Sequence, residues 1–196
     1  MESSSYLTGH FLISGLNLVD PNFFRTVVFM VQHNADGAFG LVINRPAEHT
    51  LGSILPKLAG GAALDIPVYI GGPVQQDFLF VLYSGFSGYT QSAAAAQPIP
   101  GVIFEPATRE LIRFLVEEWE RMPPEDRPKI RLYAGYSGWA ANQLEHEMQE
   151  HAWFTHTAKP DIIFHANPQT AWKEALSDKG TYYKFVADTG YIPSVN

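Results

Sequence analysis

The residues most typical of metal binding in this chain are two histidines in a charged stretch. His146 and His151 lie five positions apart, and histidines bind zinc when both side chains reach one ion. The zinc-protease pattern requires a spacing of four, which puts both side chains on one helical face. At about 100° per residue, a spacing of five puts the two side chains roughly 140° apart around a helix. We therefore predict a solvated amphipathic helix here and no zinc site.

A nucleophilic serine is the second candidate for chemistry. The segment Gly135–Trp139 (GYSGW) follows a predicted strand, where a hydrolase would place a Gly-x-Ser-x-Gly turn. Trp139 stands where the last glycine must be, and Gly85–Tyr89 (GFSGY) fails in the same way. The histidines that could act as a base are His33, His151, His156 and His165, but the sequence pairs none of them with a serine. The pattern favours a glycine-supported turn between a strand and a helix, with Trp139 in the core.

Composition and the remaining motifs exclude further classes of site. The chain has no cysteine, which excludes disulfides, thiol catalysis and iron–sulfur ligation. It contains neither glycine-rich phosphate-loop pattern, so we expect no nucleotide cofactor. The net charge is −7, and acidic residues interrupt the basic cluster at 121–131. Because nucleic-acid binding requires clustered cations, we do not expect a nucleic-acid partner.

A buried β-hairpin is the strongest structural prediction. Thr26–Val31 is a continuous run of β-branched and apolar residues, typical of a strand buried on both faces. Asn34–Gly37 supplies turn residues, and Ala38–Ile43 returns as a second strand. Gly40 inside that strand predicts a bulge or the close approach of a neighbouring element.

The other predicted elements place several helices late in the chain. Strands are predicted at 6–14, 68–70, 78–83, 102–104, 130–135 and 153–156, with a loop at 84–97. Helices are predicted at 50–55, capped by Thr50 and ended at Gly60-Gly61, and at 107–121, 140–150 and 168–176, with a last turn at 181–187. Clustered strands followed by helices favour an α+β fold with a mixed, mostly antiparallel sheet and flanking helices.

Length and composition predict one domain in the cytoplasm. A chain of 196 residues is the size of a single domain, which we assign to 1–196. Charged residues make up only 17% of the chain, typical of a compact fold or of a surface partly covered by self-association. The first residues show no signal-peptide pattern, and no apolar run is long enough to cross a membrane.

Motifs spread along nearly the whole sequence support a family resemblance. They are Asp20-Pro21, Arg25-Thr26-Val27-Val28, His33, Gly37-Ala38, Gly40–Pro46, Gly71-Gly72-Pro73, Gly135–Trp139, Gln143-Leu144-Glu145, Ala152-Trp153, Asp161–Phe164 and Trp172. On these motifs the chain resembles the AlgH/YqgE-like family of bacterial proteins. The resemblance implies a compact α+β fold with a folded-over sheet. The chain departs from the family's usual glycines after Trp139, where it reads Ala140-Ala141-Asn142.

Five polar residues of these family-like motifs are the candidates for ligand binding. Each flanks a predicted buried strand or opens a helix, so all could lie near one edge of the sheet; they are Arg25, Asn44, Arg45, Gln143 and Glu145. In a structural interpretation, an arginine of this set pairs with Asp20 or Glu145, and Asn44 fixes the turn before Pro46. In a functional interpretation, the arginines bind an anionic ligand.

We expect a cytoplasmic bacterial protein without enzymatic activity that binds a protein or a small ligand in a regulatory role. The catalytic and metal-binding templates each fail by at least one residue. One alternative is an enzyme with a polar cleft formed by Arg25, Asn44, Arg45 and Glu145. Another is a transcriptional regulator, which rests only on the label that some members of the family carry.

Overall fold

The computed structural model describes residues 6–56 and 64–191, which divide into two compact units. The first unit contains Met1–Arg45 and Ser137–Asn196, and the second contains Pro46–Tyr136. The predicted helix end at Gly60-Gly61 lies outside the described residues. That residues 1–196 act as one domain stays a prediction.

The described residues contain ten strands, six α-helices and one turn of 3-10 helix. In chain order they are β1 (His10–Ser14), β2 (Val27–Asn34), β3 (Gly37–Val42), β4 (Pro46–Thr50), α1 (Leu51–Ile54), β5 (Pro67–Ile70), β6 (Val74–Tyr83), β7 (Ala96–Ile99), β8 (Val102–Pro106), α2 (Arg109–Glu118), the 3-10 turn (Pro124–Asp126), β9 (Ile130–Ala140), α3 (Gln143–Gln149), β10 (Trp153–Thr157), α4 (Pro160–Ile163), α5 (Ala171–Ser177) and α6 (Thr181–Thr189). The class predicted from the sequence, α+β with a mixed and mostly antiparallel sheet and flanking helices, is confirmed.

The predicted hairpin forms the middle of the sheet in the first unit. Strands β10, β1, β2, β3 and the end of β9 lie side by side, and each is antiparallel to the next. An ideal Cβ on Gly40 would lie 2.7 Å from Val28 Cγ1, and the register between β2 and β3 shifts after Met30. Both features predicted from Gly40, a bulge and a close approach, are therefore present.

Apolar residues on the strands and helices of the first unit form its core. Leu12, Val28 and Met30 belong to one buried cluster with the helix residue Leu144. Helix α5 contacts β1 and β2 and buries Trp172. Strand β2 is buried over residues 27–31, which are all apolar, and β3 is buried over residues 40–42.

Strand β6 lies between β8 and the first part of β9 in the second unit, antiparallel to both. Strand β5 is parallel to β9 and antiparallel to β4. Helix α2 begins after Thr108, whose Oγ1 accepts the amide N–H of Leu111 at 3.2 Å. The helix buries Leu111, Ile112 and Leu115 against the apolar residues of this unit.

The predicted turn between strand and helix at Gly135–Trp139 is wrong. Strand β9 continues through this segment to Ala140. Ser137 and Trp139 are buried while Gly138 and Ala140 are exposed, which is the alternation of a half-buried strand. Gly135 has a left-handed φ of 70° inside the strand, and a second left-handed residue, Asn142 with a φ of 64°, lies beyond it. Asparagine tolerates this conformation, so the turn after the strand forms without a glycine.

Candidate functional site

Asn44 joins two chain segments at one end of the hairpin. Its Oδ1 accepts the amide N–H of Val27 at 2.9 Å, and its Nδ2 donates to the carbonyl oxygen of Arg25 at 2.9 Å. Because both groups belong to the main chain before and at the start of β2, the Asn44 side chain fixes where that strand begins. These contacts lie at the start of β2 and not in the turn before Pro46 that the structural interpretation assigned to Asn44.

The Arg45 side chain also forms hydrogen bonds with the main chain of the first unit. Its Nη2 donates to the carbonyl oxygen of Pro21 at 2.6 Å and, more weakly, to that of Phe24 at 3.4 Å. Partial burial lowers the pKa of Arg45 below its ordinary value, and the nearby Asp20 opposes that shift. Even so, an arginine keeps its charge in a protein. The guanidinium thus holds the turn before Arg25 in place.

Arg25 differs from its two neighbours because its side chain is exposed. Its backbone has a φ of 51°, in the left-handed region that a non-glycine residue rarely adopts. Its guanidinium lies over the rings of Phe24 and Trp172, with 5.3 and 5.5 Å from Cζ to the ring centroids. The indole of Trp172 donates to the carbonyl oxygen of Ser14 at 3.0 Å, which anchors the surface under the arginine. Among the described residues, no carboxylate forms an ion pair with Arg25.

Gln143 and Glu145 lie at the other end of the hairpin. Gln143 Oε1 accepts the amide N–H of Ala140 at 3.0 Å, and Glu145 Oε1 lies 3.0 Å from His33 Nε2. Asn44 binds Val27 at the start of β2, whereas His33 lies six residues further along that strand. At about 3.3 Å per residue, the two groups are roughly 20 Å apart. The five predicted residues therefore do not form one cleft, and the predicted pairing of an arginine with Glu145 is replaced by the contact with His33.

His33 does not have the geometry of a general base. Its Nδ1 accepts the amide N–H of Leu7 at 3.0 Å, so in the neutral ring Nε2 carries the hydrogen and donates to Glu145. The side chain is only 3% exposed. Ser137, the serine of the hydrolase-like motif, is completely buried within β9. Neither residue is placed to attack a substrate.

Glu147 is a central residue that the sequence analysis did not single out. Its Oε2 accepts the indole N–H groups of Trp139 at 2.9 Å and Trp153 at 2.8 Å, and its Oε1 accepts Nε2 of Gln143 at 3.0 Å. A spacing of four puts Gln143 and Glu147 on one face of a helix, so the sequence indicates that these two side chains are neighbours. The two tryptophans lie on different strands, so their shared acceptor could not be inferred from the sequence.

The histidine pair at 146 and 151 is not assembled as a metal site. His146 Nε2 lies 3.3 Å from Glu150 Oε1 on the exposed side of α3, and His151 has a left-handed φ of 58° after the helix has ended. Within residues 6–56 and 64–191, no three histidine or acidic side chains are grouped as a metal site would require. None of the helices in those ranges has the length and apolar character needed to cross a membrane.

Comparisons with known proteins identify the family. The sequence model of the AlgH-like family matches residues 11–184. A UPF0301 protein of Thioalkalivibrio sulfidiphilus is 36% identical over 196 residues, covering 97% of this chain and 100% of that protein. A UPF0301 protein of Pseudomonas putida is 39% identical and covers 82% of both chains.

Two solved structures have the same fold. The solution structure of the AlgH protein from Pseudomonas aeruginosa matches with a TM-score of 0.72 and 32% identity, over 100% of this chain and 99% of that one. A crystal structure of a protein from Corynebacterium diphtheriae matches with a TM-score of 0.73 over 95% of this chain and 94% of that one. At 18% identity, this second match shows the fold alone. The names of these proteins state no substrate and no reaction.

Proposed function

Because the chain belongs to the AlgH-like family of bacterial proteins, we propose that it is a binding protein without enzymatic activity and that Arg25 takes an anionic ligand. We propose that the protein has a regulatory role in the cytosol. The ligand carries a carboxylate or a phosphate, since the planar guanidinium binds either group through two parallel hydrogen bonds. The enzyme alternative has no comparable support, because Glu145 contacts His33, and six strand residues, or roughly 20 Å, separate His33 from the Val27 amide that Asn44 binds.

The state of the Arg25 guanidinium is the observation that carries this proposal. Asn44 and Arg45 use their polar atoms on the main chain, whereas the guanidinium of Arg25 contacts aromatic rings. Stacking on a ring leaves the N–H groups at the edge of the guanidinium directed away from the ring face. Because the stack also limits side-chain freedom, less conformational entropy is lost when an anion binds.

The backbone at Arg25 supports the same proposal. A left-handed conformation costs an L-residue about 1–2 kcal/mol, and glycine would adopt it without that cost. An arginine at this position therefore lowers the stability of the fold relative to glycine, and it places an exposed positive charge on the surface. Strained backbone of this kind is concentrated at ligand-binding and switching sites.

The test compares the full-length protein with Arg25→Gly. Probes are inorganic phosphate, malonate and adenosine monophosphate, each followed by thermal shift and by titration calorimetry. A probe at about 100 times its Kd stabilises the folded protein by about 2.7 kcal/mol, which raises the melting temperature of a chain this size by about 5–10 °C. Arg25→Gly should lose this increase but keep its melting temperature without ligand, since relief of strain offsets the lost stacking.

Two further variants sharpen the result. Arg25→Lys keeps the charge but cannot form the two parallel hydrogen bonds. It should therefore bind the same anion more weakly than the wild type does. Arg121→Gln removes the same charge from a side chain that is 71% exposed and paired with Glu118, and should bind like the wild type. The proposal fails if none of the probes binds, or if Arg25→Gly binds as tightly as the wild type. A large fall in the melting temperature of ligand-free Arg25→Gly would assign Arg25 to structure instead.

A further inference from the structure

A strained bulge interrupts β6 in the second unit. Val74 pairs with Tyr136 and Leu79 pairs with Ala134, so β6 advances five residues while β9 advances two. The surplus residues leave the ladder, and Gln75 among them has a left-handed φ of 48°. Bulges and strained residues are concentrated beside binding sites, where they redirect side chains.

The bulge forms one wall of a large groove. Phe78 is 56% exposed, although it is a large apolar residue on a strand. It lines a cavity of about 930 Å³, together with Leu79 of β6 and with Ile112 and Val116 of α2. Small-molecule sites have volumes of about 300–1,000 Å³ and mostly apolar walls. The size and lining of this groove are those of a small-molecule site.

Charged side chains are distributed unevenly along the groove. Arg109 and Arg113 lie one helical turn apart on α2 and both line it, followed one turn later by Glu117. Asp77 lines it from the bulge. Within the described ranges, neither arginine forms an ion pair or a side-chain hydrogen bond. The charges along the helix therefore run from two cations to one anion, which gives the groove a direction.

We propose that this groove binds a small amphiphile that has an apolar chain and a single anionic head group. The head group lies against Arg109 and Arg113, and the chain extends over Ile112 and Val116 toward Glu117. The arrangement opposes a ligand with anionic groups at both ends, because Glu117 would repel the second one. Asp77 repels the head group as well, so its charge limits the affinity.

The experiment uses the full-length protein and two small probes of equal chain length, octanoate and 1-octanol. Binding is followed by methyl NMR at Ile112, Val116 and Leu79, which reports the groove and not Arg25. We expect saturable octanoate binding with shifts at these methyl groups. The double variant R109Q/R113Q should weaken octanoate binding by at least tenfold and change octanol binding by less than twofold. Octyl phosphate in place of octanoate distinguishes a phosphate head group from a carboxylate.

Three variants complete the test. Asp77→Asn should tighten octanoate binding, since a repelling charge is removed, and Val116→Phe should weaken both probes by filling the groove. Arg25→Gly should leave the groove shifts unchanged, so failure here is separate from failure of the proposed function. The proposal is overturned if octanoate leaves the groove methyl groups unshifted. It is equally overturned if R109Q/R113Q binds octanoate as tightly as the wild type.

Discussion

The substitution Glu147→Ala removes a carboxylate oxygen that accepts hydrogen bonds from two buried indoles. In the described part of the first unit, no other carboxylate oxygen is shared in this way. Trp139 and Trp153 donate to Oε2 at 2.9 and 2.8 Å, and the two residues are 7% and 4% exposed. A hydrogen bond to a charged group contributes about 1.5–3 kcal/mol. Water entering the space left by the side chain recovers part of the loss. We expect Glu147→Ala to lower the free energy of unfolding by about 2–4 kcal/mol.

Glu147→Gln separates the hydrogen bonds from the charge. The amide oxygen can still accept both indole N–H groups, so the shape of the cluster is kept. The amide NH2 then faces Nε2 of Gln143, a donor that meets Glu147 Oε1 in the native protein, and one hydrogen bond is lost. The expected decrease is about 1–2 kcal/mol, smaller than that of the alanine variant because no indole is left without an acceptor.

Urea unfolding followed by far-UV circular dichroism measures these differences. The matched control is Glu150→Ala, near the end of the same helix, where the pair with His146 is exposed on both sides (71% and 64%). Exposed pairs contribute about 0–1 kcal/mol, so the control should remain close to the wild type. If Glu147→Ala lost no more stability than Glu150→Ala, the assignment of Glu147 as a structural centre would be refuted.

Three other expectations concern stability. Asn44→Ala loses two main-chain hydrogen bonds and should cost about 1–3 kcal/mol in urea unfolding; a change below about 0.5 kcal/mol would contradict its structural role. The Asp178 pKa is lowered from its ordinary value of 3.8, chiefly by the hydrogen bond from Lys159. Asp178 therefore stabilises the protein above that value, and its advantage over Asp178→Asn should disappear as the pH falls through the lowered pKa; an advantage that persisted in acid would exclude this origin. Gly135→Ala puts a Cβ 2.7 Å from a carbonyl oxygen at a φ of 70°, whereas Gly101→Ala meets open space at a φ of 76°; the first should cost at least about 1 kcal/mol more than the second, and equal costs would mean that the contact relaxes.

Local patterns predicted the parts of the fold that depend on neighbouring residues. The hairpin followed from the apolar run at Thr26–Val31 and the turn residues after it. The cap of α1 followed from Thr50, whose Oγ1 accepts the amide N–H of Ser53. In each case the deciding interaction is set by residues close in sequence or by the pairing of adjacent strands.

The features that the sequence did not predict depend on contacts between residues that are distant in the chain. Glu145 is paired with His33, 112 positions away, and no charge pattern distinguishes that partner from an arginine. Gly135 looked like the end of a strand, yet it is required inside β9 because the carbonyl oxygens of Gly72 and Val74 approach it. The sequence alone does not distinguish a glycine that ends a strand from a glycine that leaves space for a neighbouring backbone.

Arg25 and Arg45 make different contacts, since Arg45 donates to the main chain and the guanidinium of Arg25 lies over aromatic rings. Both were candidates for an ion pair or for an anionic ligand, and their sequence contexts did not separate them. Arg45 and Asn44 hold the main chain on either side of Arg25, and this support maintains the left-handed φ that a free chain would not keep. Loss of anion binding in Asn44→Ala or Arg45→Ala would therefore follow from a displaced Arg25, without any contact between those residues and the ligand. Arg25→Gly is the decisive variant, because it removes the guanidinium and leaves the backbone in a conformation that glycine adopts freely.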